Sequence, residues 1–281
     1  MRVAFWSNYP GSGVTSNMIS LGAAMSLLYK ARIILTSNHY GMRDLGRCIT
    51  GAEGTETERQ TNLYYRNRDF YYPYKNGVEA GLKLYIDSAG RYIKNGFSPK
   101  EPENGLYCCL FEKEYSDYLY EVNFIDRFGT LVDRLEERGE FVFMDLQSQG
   151  SFCTLQELER ADLVVVSLRQ EEKAVRNFFK RYESITGKSI FLLSGYKRNG
   201  AYLKKDIVSD FHLHPERVAI MPYSREIASG YADGRVLQYI CENIDCGARS
   251  PEHTNFWHLK RAAAVLMQAL ENGVHCGQRA I

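Results

Sequence analysis

Between Asn8 and Ser16 the chain reads Asn-Tyr-Pro-Gly-Ser-Gly-Val-Thr-Ser, a glycine-bearing turn that runs into hydroxyl side chains. Glycines let backbone N–H groups approach an anion closely. A helix starting just after them adds unpaired amides and the positive end of its dipole, which is the chemistry of a phosphate site. A loop of the pattern GxxxxGK[ST] would place glycine at positions 8 and 13, lysine at 14 and a magnesium-binding hydroxyl at 15. Gly13 and Thr15 fit, whereas Asn8 replaces a glycine and Val14 replaces the lysine. The candidate phosphate contacts are therefore Gly11, Ser12, Gly13, Val14, Thr15 and Ser16, with Thr15 also a candidate metal ligand.

The apolar run Phe141-Val142-Phe143-Met144 ends on a carboxylate, Asp145. Read by itself, an Asp at a strand end caps the following turn. Other chemistries find less support. His212 and His214 precede Pro215 without a second ligand pair, and no GxSxG elbow is present. The seven cysteines form no CxxC pair, and their odd number cannot be fully paired within one chain, so reduced thiols are expected. The spacing of Cys241 and Cys246 with His253 and His258 matches no zinc-finger pattern.

The elements that position this loop read as alternating strands and helices. Arg2 to Ser7 is a short apolar strand, followed by the turn at Tyr9 to Gly13 and by a helix carrying Met18, Ile19, Leu21, Met25 and Leu28. Arg32 to Thr36 is the next strand, completing a βαβ unit. Further strands are expected at Leu106 to Leu110, Glu140 to Asp145, Asp162 to Ser167, Ser189 to Ser194 and Arg217 to Met221. Helices are expected at Asn123 to Glu137, Glu171 to Ile185, Tyr202 to Phe211 and Arg225 to Tyr231. Continuous Val/Ile/Leu/Phe runs suit strands covered on both faces. The fold class is thus α/β, a doubly wound and mostly parallel sheet of about seven strands.

Two segments fall outside that minimum. Residues 49–104 form a Tyr-rich insertion with Tyr64, Tyr65, Tyr71, Tyr72 and Tyr74, followed by a helical run from Val78 to Ile93. It reads either as an elaborated surface segment or as a binding face, since tyrosine is enriched at interfaces. Residues 241–281 form a C-terminal helical extension, in which His258 to Leu270 is amphipathic and expected to dock on the domain. Its polar face is too lightly basic for an interfacial membrane anchor.

Together, Gly11, Gly13, Thr15 and Ser16, then Gly41-Met42-Arg43-Asp44, Asp145, and Ile220-Met221-Pro222-Tyr223 resemble the MinD/ParA family, in an order that spans Met1 to Leu237. The resemblance implies a P-loop NTPase-like domain of the MinD type over residues 1–240. Members carry two lysines in the phosphate loop, and the matching positions here are Tyr9 and Val14. They also place carboxylates after the second strand, where this chain reads Ser37-Asn38-His39. Phosphoryl transfer is mainly positioning and charge stabilisation, so these losses imply that hydrolysis is absent.

Members hold adenine with the loops after the last two strands. That adds Pro222 and Tyr223 to the nucleotide-binding residues, with Ser194 where an asparagine usually reads the base. The cofactor implied is ATP or ADP with magnesium, weakly held at Thr15 and Asp145, or none at all. The pattern of losses is similar to the degenerate TadZ/CpaE-like branch of Flp/Tad (type IV) pilus assembly. That branch implies a homodimer working with assembly proteins of a membrane-associated machine. An ATP-switched partitioning ATPase with an atypical site is the alternative.

Composition sets the outer limits. Lys and Arg total 35 against 34 Asp and Glu in 281 residues, so no overall field points to nucleic acid or an anionic membrane. No helix-turn-helix module is evident. No stretch approaches the roughly 20 apolar residues of a membrane span. The expected location is the cytoplasm, or the inner membrane by peripheral attachment.

Overall fold

Apolar runs along the chain become strands that lie side by side. The computed structural model describes residues 1–39, 45, 48–49, 70–72, 82–88, 105–110, 128–148, 151–245 and 251–272. In chain order the elements are β1 (Arg2–Trp6), α1 (Val14–Leu28), β2 (Arg32–Ser37), β3 (Phe70–Tyr72), β4 (Leu82–Ser88), β5 (Gly105–Leu110), α2 (128–136), β6 (Phe141–Asp145), α3 (Phe152–Arg160) and β7 (Leu163–Arg169). There follow α4 (Glu172–Arg181), α5 (Glu183–Thr186), β8 (Ser189–Tyr196), α6 (Lys204–Asp210), a 3-10 turn (Pro215–Arg217), β9 (Val218–Pro222), α7 (Arg225–Ala232), α8 (Val236–Asn243) and α9 (Pro251–Asn272).

The sheet runs in the order β3-β4-β5-β2-β6-β1-β7-β8-β9. All neighbours are parallel except β3 against β4. The seven strands expected from sequence form its continuous body, from β5 to β9, and the doubly wound parallel architecture is the observed one. β4 extends it, and this corrects the reading of Val78 to Ile93 as a helical run. Leu82, Leu84 and Ile86 alternate with Lys83, Tyr85 and Asp87, a period of two. Pairing with β5, Leu84 opposite Leu106, supplies the ladder. Tyr71 and Tyr72 lie on β3; Tyr64, Tyr65, Tyr74 and the segment Gly41–Asp44 lie outside the described residues.

Alternation along each central strand feeds two cores. Val3 and Phe5 of β1, with Ile33 and Leu35 of β2, pack against Met18 and Met25 of α1 and Leu259, Ala262 and Leu266 of α9. Ala4 and Trp6, with Val142 and Met144, face Leu131 and Leu135 of α2, Leu158 of α3 and Phe178 of α4. Each fully buried large apolar side chain contributes about 1.5–3 kcal/mol. α1 lies against the sheet, and α8 and α9 cover it from outside, so residues 17–27 are all buried. Gly22 permits the close approach: a Cβ there would meet Leu106 Cδ1 at 3.1 Å and Leu35 Cδ2 at 3.2 Å. α9 therefore docks on the domain, and position 240 falls within α8. Among the described residues, no helix is long and apolar enough to cross a membrane.

Candidate functional site

β1 lies inside the sheet between β6 and β7, so the loop leaving its carboxyl end opens at the crevice where such sheets bind ligands. The loop is held from within. The Ser7 hydroxyl accepts from the Tyr9 amide at 3.2 Å, and the Ser12 hydroxyl donates to the Tyr9 carbonyl at 2.8 Å. The Asn8 side-chain amide donates to the Ala174 carbonyl of α4 at 3.3 Å. Gly11 at φ 68° and Gly13 at φ 75° occupy the left-handed region, which other residues enter only with strain. Gly13 caps α1 without a side-chain hydrogen bond, and the Asn17 amide closes the first turn on the Gly13 carbonyl at 2.8 Å. The amides of Val14, Thr15 and Ser16 thus have no carbonyl within the helix to bond, and they point to where an anion would sit.

Beneath the loop, the Thr15 hydroxyl donates to Asp145 Oδ2 at 2.6 Å, and His39 Nε2 lies 3.2 Å from Asp145 Oδ1. Asp145 is 1% exposed. Register places it there, since it pairs with Phe5 of β1 and Ser37 of β2. Asn38 ties the neighbouring loops together. Its side chain donates to Thr154 Oγ1 at 3.0 Å and accepts from the Gln147 amide at 2.8 Å. Nearby, burial pushes the Cys153 thiol up to about 11, with the Glu157 charge adding to it, so this sulfur stays protonated at neutral pH.

Asn17 anchors the first turn of α1 by donating to Ser167 Oγ at 3.0 Å and Ser194 Oγ at 2.6 Å. Ser194, which the family resemblance sets at the position expected to face adenine, thus accepts from the protein's own asparagine. The Tyr231 hydroxyl of α7 donates to the Ser16 carbonyl and lies 2.7 Å from Ser20 Oγ. Burial raises the pKa of its phenol above the ordinary 10.

These groups enclose a pocket of about 700 Å³, lined by residues 9–16 and by His39, Cys48, Leu146, Gln147, Ser148, Tyr231 and Ala232. Gly11, Ser12, Gly13, Val14, Thr15 and Ser16 are all in its wall, and Asp145 lies below, bound to Thr15. Pro222 and Tyr223 are not in the wall, and Tyr223 is 65% exposed. In their place α7 supplies Tyr231 and Ala232. Sequence reasoning passed over Tyr231, for which no local signal exists because 215 positions separate it from Ser16. It noted the position of His39 but not its pairing with Asp145.

The donor set fits a phosphate-bearing ligand, with backbone amides at the helix start and two glycines that admit close approach. It also fits magnesium in ligand type, because a hydroxyl and a carboxylate sit together at the floor. Among the described residues, no lysine or arginine lines the pocket.

No family model matches the chain, and no curated protein sequence does. Solved structures match it in fold. The septum site-determining protein MinD complexed with Mg-ADP from Pyrococcus horikoshii is 10% identical, over 95% of this chain and 96% of that one, with a TM-score of 0.62. A ParA family ATPase from Chlorobium tepidum is 11% identical over 92% and 98%, at a TM-score of 0.58. MinD in a MinC:MinD cell division complex from Aquifex aeolicus is 15% identical over 95% of each chain, at 0.59.

Proposed function

From a chain with the fold of the MinD and ParA ATPases, we propose a protein that holds a phosphate-bearing ligand in its glycine loop without hydrolysing it. It acts as an assembly or localisation factor, with Flp/Tad pilus machinery as the setting that its residue losses resemble. One observation carries this reading. The loop keeps the backbone of a phosphate site and the Thr15–Asp145 pair, while its wall has Tyr9 and Val14 where charge would be needed.

Amides of Val14, Thr15 and Ser16 would hold the phosphoryl oxygens, and Thr15 with Asp145 would hold magnesium. Magnesium, when bound, would neutralise part of the phosphate charge. Binding needs only these groups, whereas transfer requires cations that follow charge as it develops in the transition state. Without them the ligand is retained and not turned over. The same replacements favour a homodimer through the loop face, since an aromatic ring at Tyr9 adds interface area and no lysine must be desolvated.

Phosphate release and calorimetry on the full chain test the proposal. Binding of ATP or ADP at micromolar to millimolar levels without turnover is expected. Turnover that disappears in Asp145→Ala would establish the second reading instead, an ATP-switched positioning ATPase, which the retained Thr15–Asp145 hydrogen bond favours.

A further inference from the structure

Among the described residues, one guanidinium reaches the loop from β7. Arg169 ends β7, and its Nη2 donates to the Pro10 carbonyl at 2.9 Å. The guanidinium passes so close to Gly11 that a Cβ there would lie 3.2 Å from Nη2. Gly11 therefore does two things: it takes a positive φ, and it leaves room for the arginine. Pro10 and Gly11 are exposed, and the Arg169 side chain is 41% exposed, so the cation stands at the outer lip of the loop. The only carboxylate paired with it among the described residues, Glu171, is at 3.9 Å from Nη1 and is itself largely exposed. Such a pair is weak. An arginine presents five N–H donors, of which the Pro10 carbonyl engages one group, and its charge is permanent.

We propose that Arg169 supplies the loop's countercharge: it steers a phosphoryl group onto the amides of α1 and bonds the oxygens that face outward. This rests on the phosphate-binding reading above and adds to it the residue that sets affinity. The arrangement keeps an arginine at the rim, while among the described residues no lysine or arginine lines the pocket above Thr15 and Asp145. It separates holding the anion from stabilising a transition state.

The test is calorimetry of the full chain with ATP, ADP and inorganic pyrophosphate, each with and without magnesium, for wild type, Arg169→Gln and Arg169→Lys. Glutamine retains an N–H for the Pro10 carbonyl and removes the charge, and the thermal midpoint verifies that the loop remains folded. The expected result is wild-type binding that weakens about tenfold in Arg169→Gln. The Arg169→Lys variant should stay within about threefold of wild type, and the gap should narrow as salt rises from about 50 to about 500 mM. Equal affinity of wild type and Arg169→Gln at low salt overturns the role of Arg169 and leaves the loop as a binding site. A loss in Arg169→Gln that lysine does not restore and salt does not change overturns it too, because that pattern belongs to loop shape. No binding of any of the three ligands by wild type overturns both this assignment and the reading beneath it.

Discussion

The two ends of β1 bury polar groups in opposite ways. At the amino end Arg2 is only 8% exposed and is surrounded by carboxylates: it forms ion pairs with Asp133 and Glu136, the latter at 2.6 Å, and approaches Glu157 at 3.9 Å. Arg160 joins the cluster through Asp133 at 2.9 Å and Glu157 at 3.7 Å, and the Arg2 amide donates to Asp162 Oδ2 at 2.7 Å. At the carboxyl end the buried polar groups among the described residues are hydroxyls, side-chain amides and one carboxylate, and the first amides of α1 have no carbonyl partner within the helix. The amino end uses its charges to lock α2 and α3 to the sheet. On the proposed reading, the carboxyl end keeps its donors for a phosphate-bearing ligand. A buried cluster of ion pairs thus marks the scaffold in this molecule, and the proposed ligand site is marked by backbone donors at a helix start.

The contrast can be broken by mutation, beginning with the largest effect. Replacing Arg2 with Met leaves the buried Glu157 with Arg160 alone among its two arginines, and is expected to cost about 3–5 kcal/mol in urea unfolding while leaving ligand affinity unchanged. A cost under about 1 kcal/mol would mean that the cluster is not structural. At the other end, Asn17→Ala removes the donor to the buried Ser167 hydroxyl and the half-buried Ser194 hydroxyl. A loss of about 2 kcal/mol is expected, with weakened ligand binding because the first turn of α1 loses its anchor. Stability loss without any change in calorimetric affinity would detach that anchor from the site.

Next in size is Thr15→Val, which preserves shape but leaves Asp145 Oδ2 without its donor. The expected cost is about 1 kcal/mol, with loss of whatever part of nucleotide affinity depends on magnesium. Affinity that depends on magnesium as strongly as before would remove Thr15 from the metal's ligands.

The smallest effect is one of sign. Burial raises the pKa of Glu157 above the ordinary 4.5, with Arg160 and Arg2 opposing. A carboxyl with a raised folded pKa stabilises fully below its unfolded value and loses that contribution as pH rises through the folded one. Glu157→Gln should therefore be more stable than wild type at neutral pH, and the gap should close as pH falls below about 4.5. A variant less stable at neutral pH would show that the ion pairs with the two arginines outweigh desolvation.

What the sequence made legible follows the range of the forces involved. The run from β1 through the loop to α1 and β2 is written in local terms: apolar strands, two glycines and a periodic helix. Asp145 is legible because it ends an apolar run and matches a motif of the MinD/ParA family, whereas the adjacency of its strand to that unit is not. β4 was misread because Leu82, Leu84 and Ile86 sit among further apolar residues whose spacing also suits a helix, and only the β5 ladder decides between the two. The Arg2 cluster joins positions 131 and 134 apart in the chain, and no local pattern announces such a pairing. Arg169 was invisible for the same reason, since its partner Pro10 lies 159 positions away.

One consequence follows from the way α1 is enclosed. A helix packed against the sheet, roofed by α8 and α9, and set so close at Gly22 that a methyl group would crowd two leucines has no room to slide or turn when its N-terminus meets a ligand. News of occupancy must then travel sideways, through the segments after β2 and β6 that Asn38 stitches together and through Tyr231 on α7. In hydrogen exchange, the interior amides of α1 should be among the slowest in the chain whether or not the pocket is filled, and the ligand's imprint should appear at Gln147, Ser148 and α7.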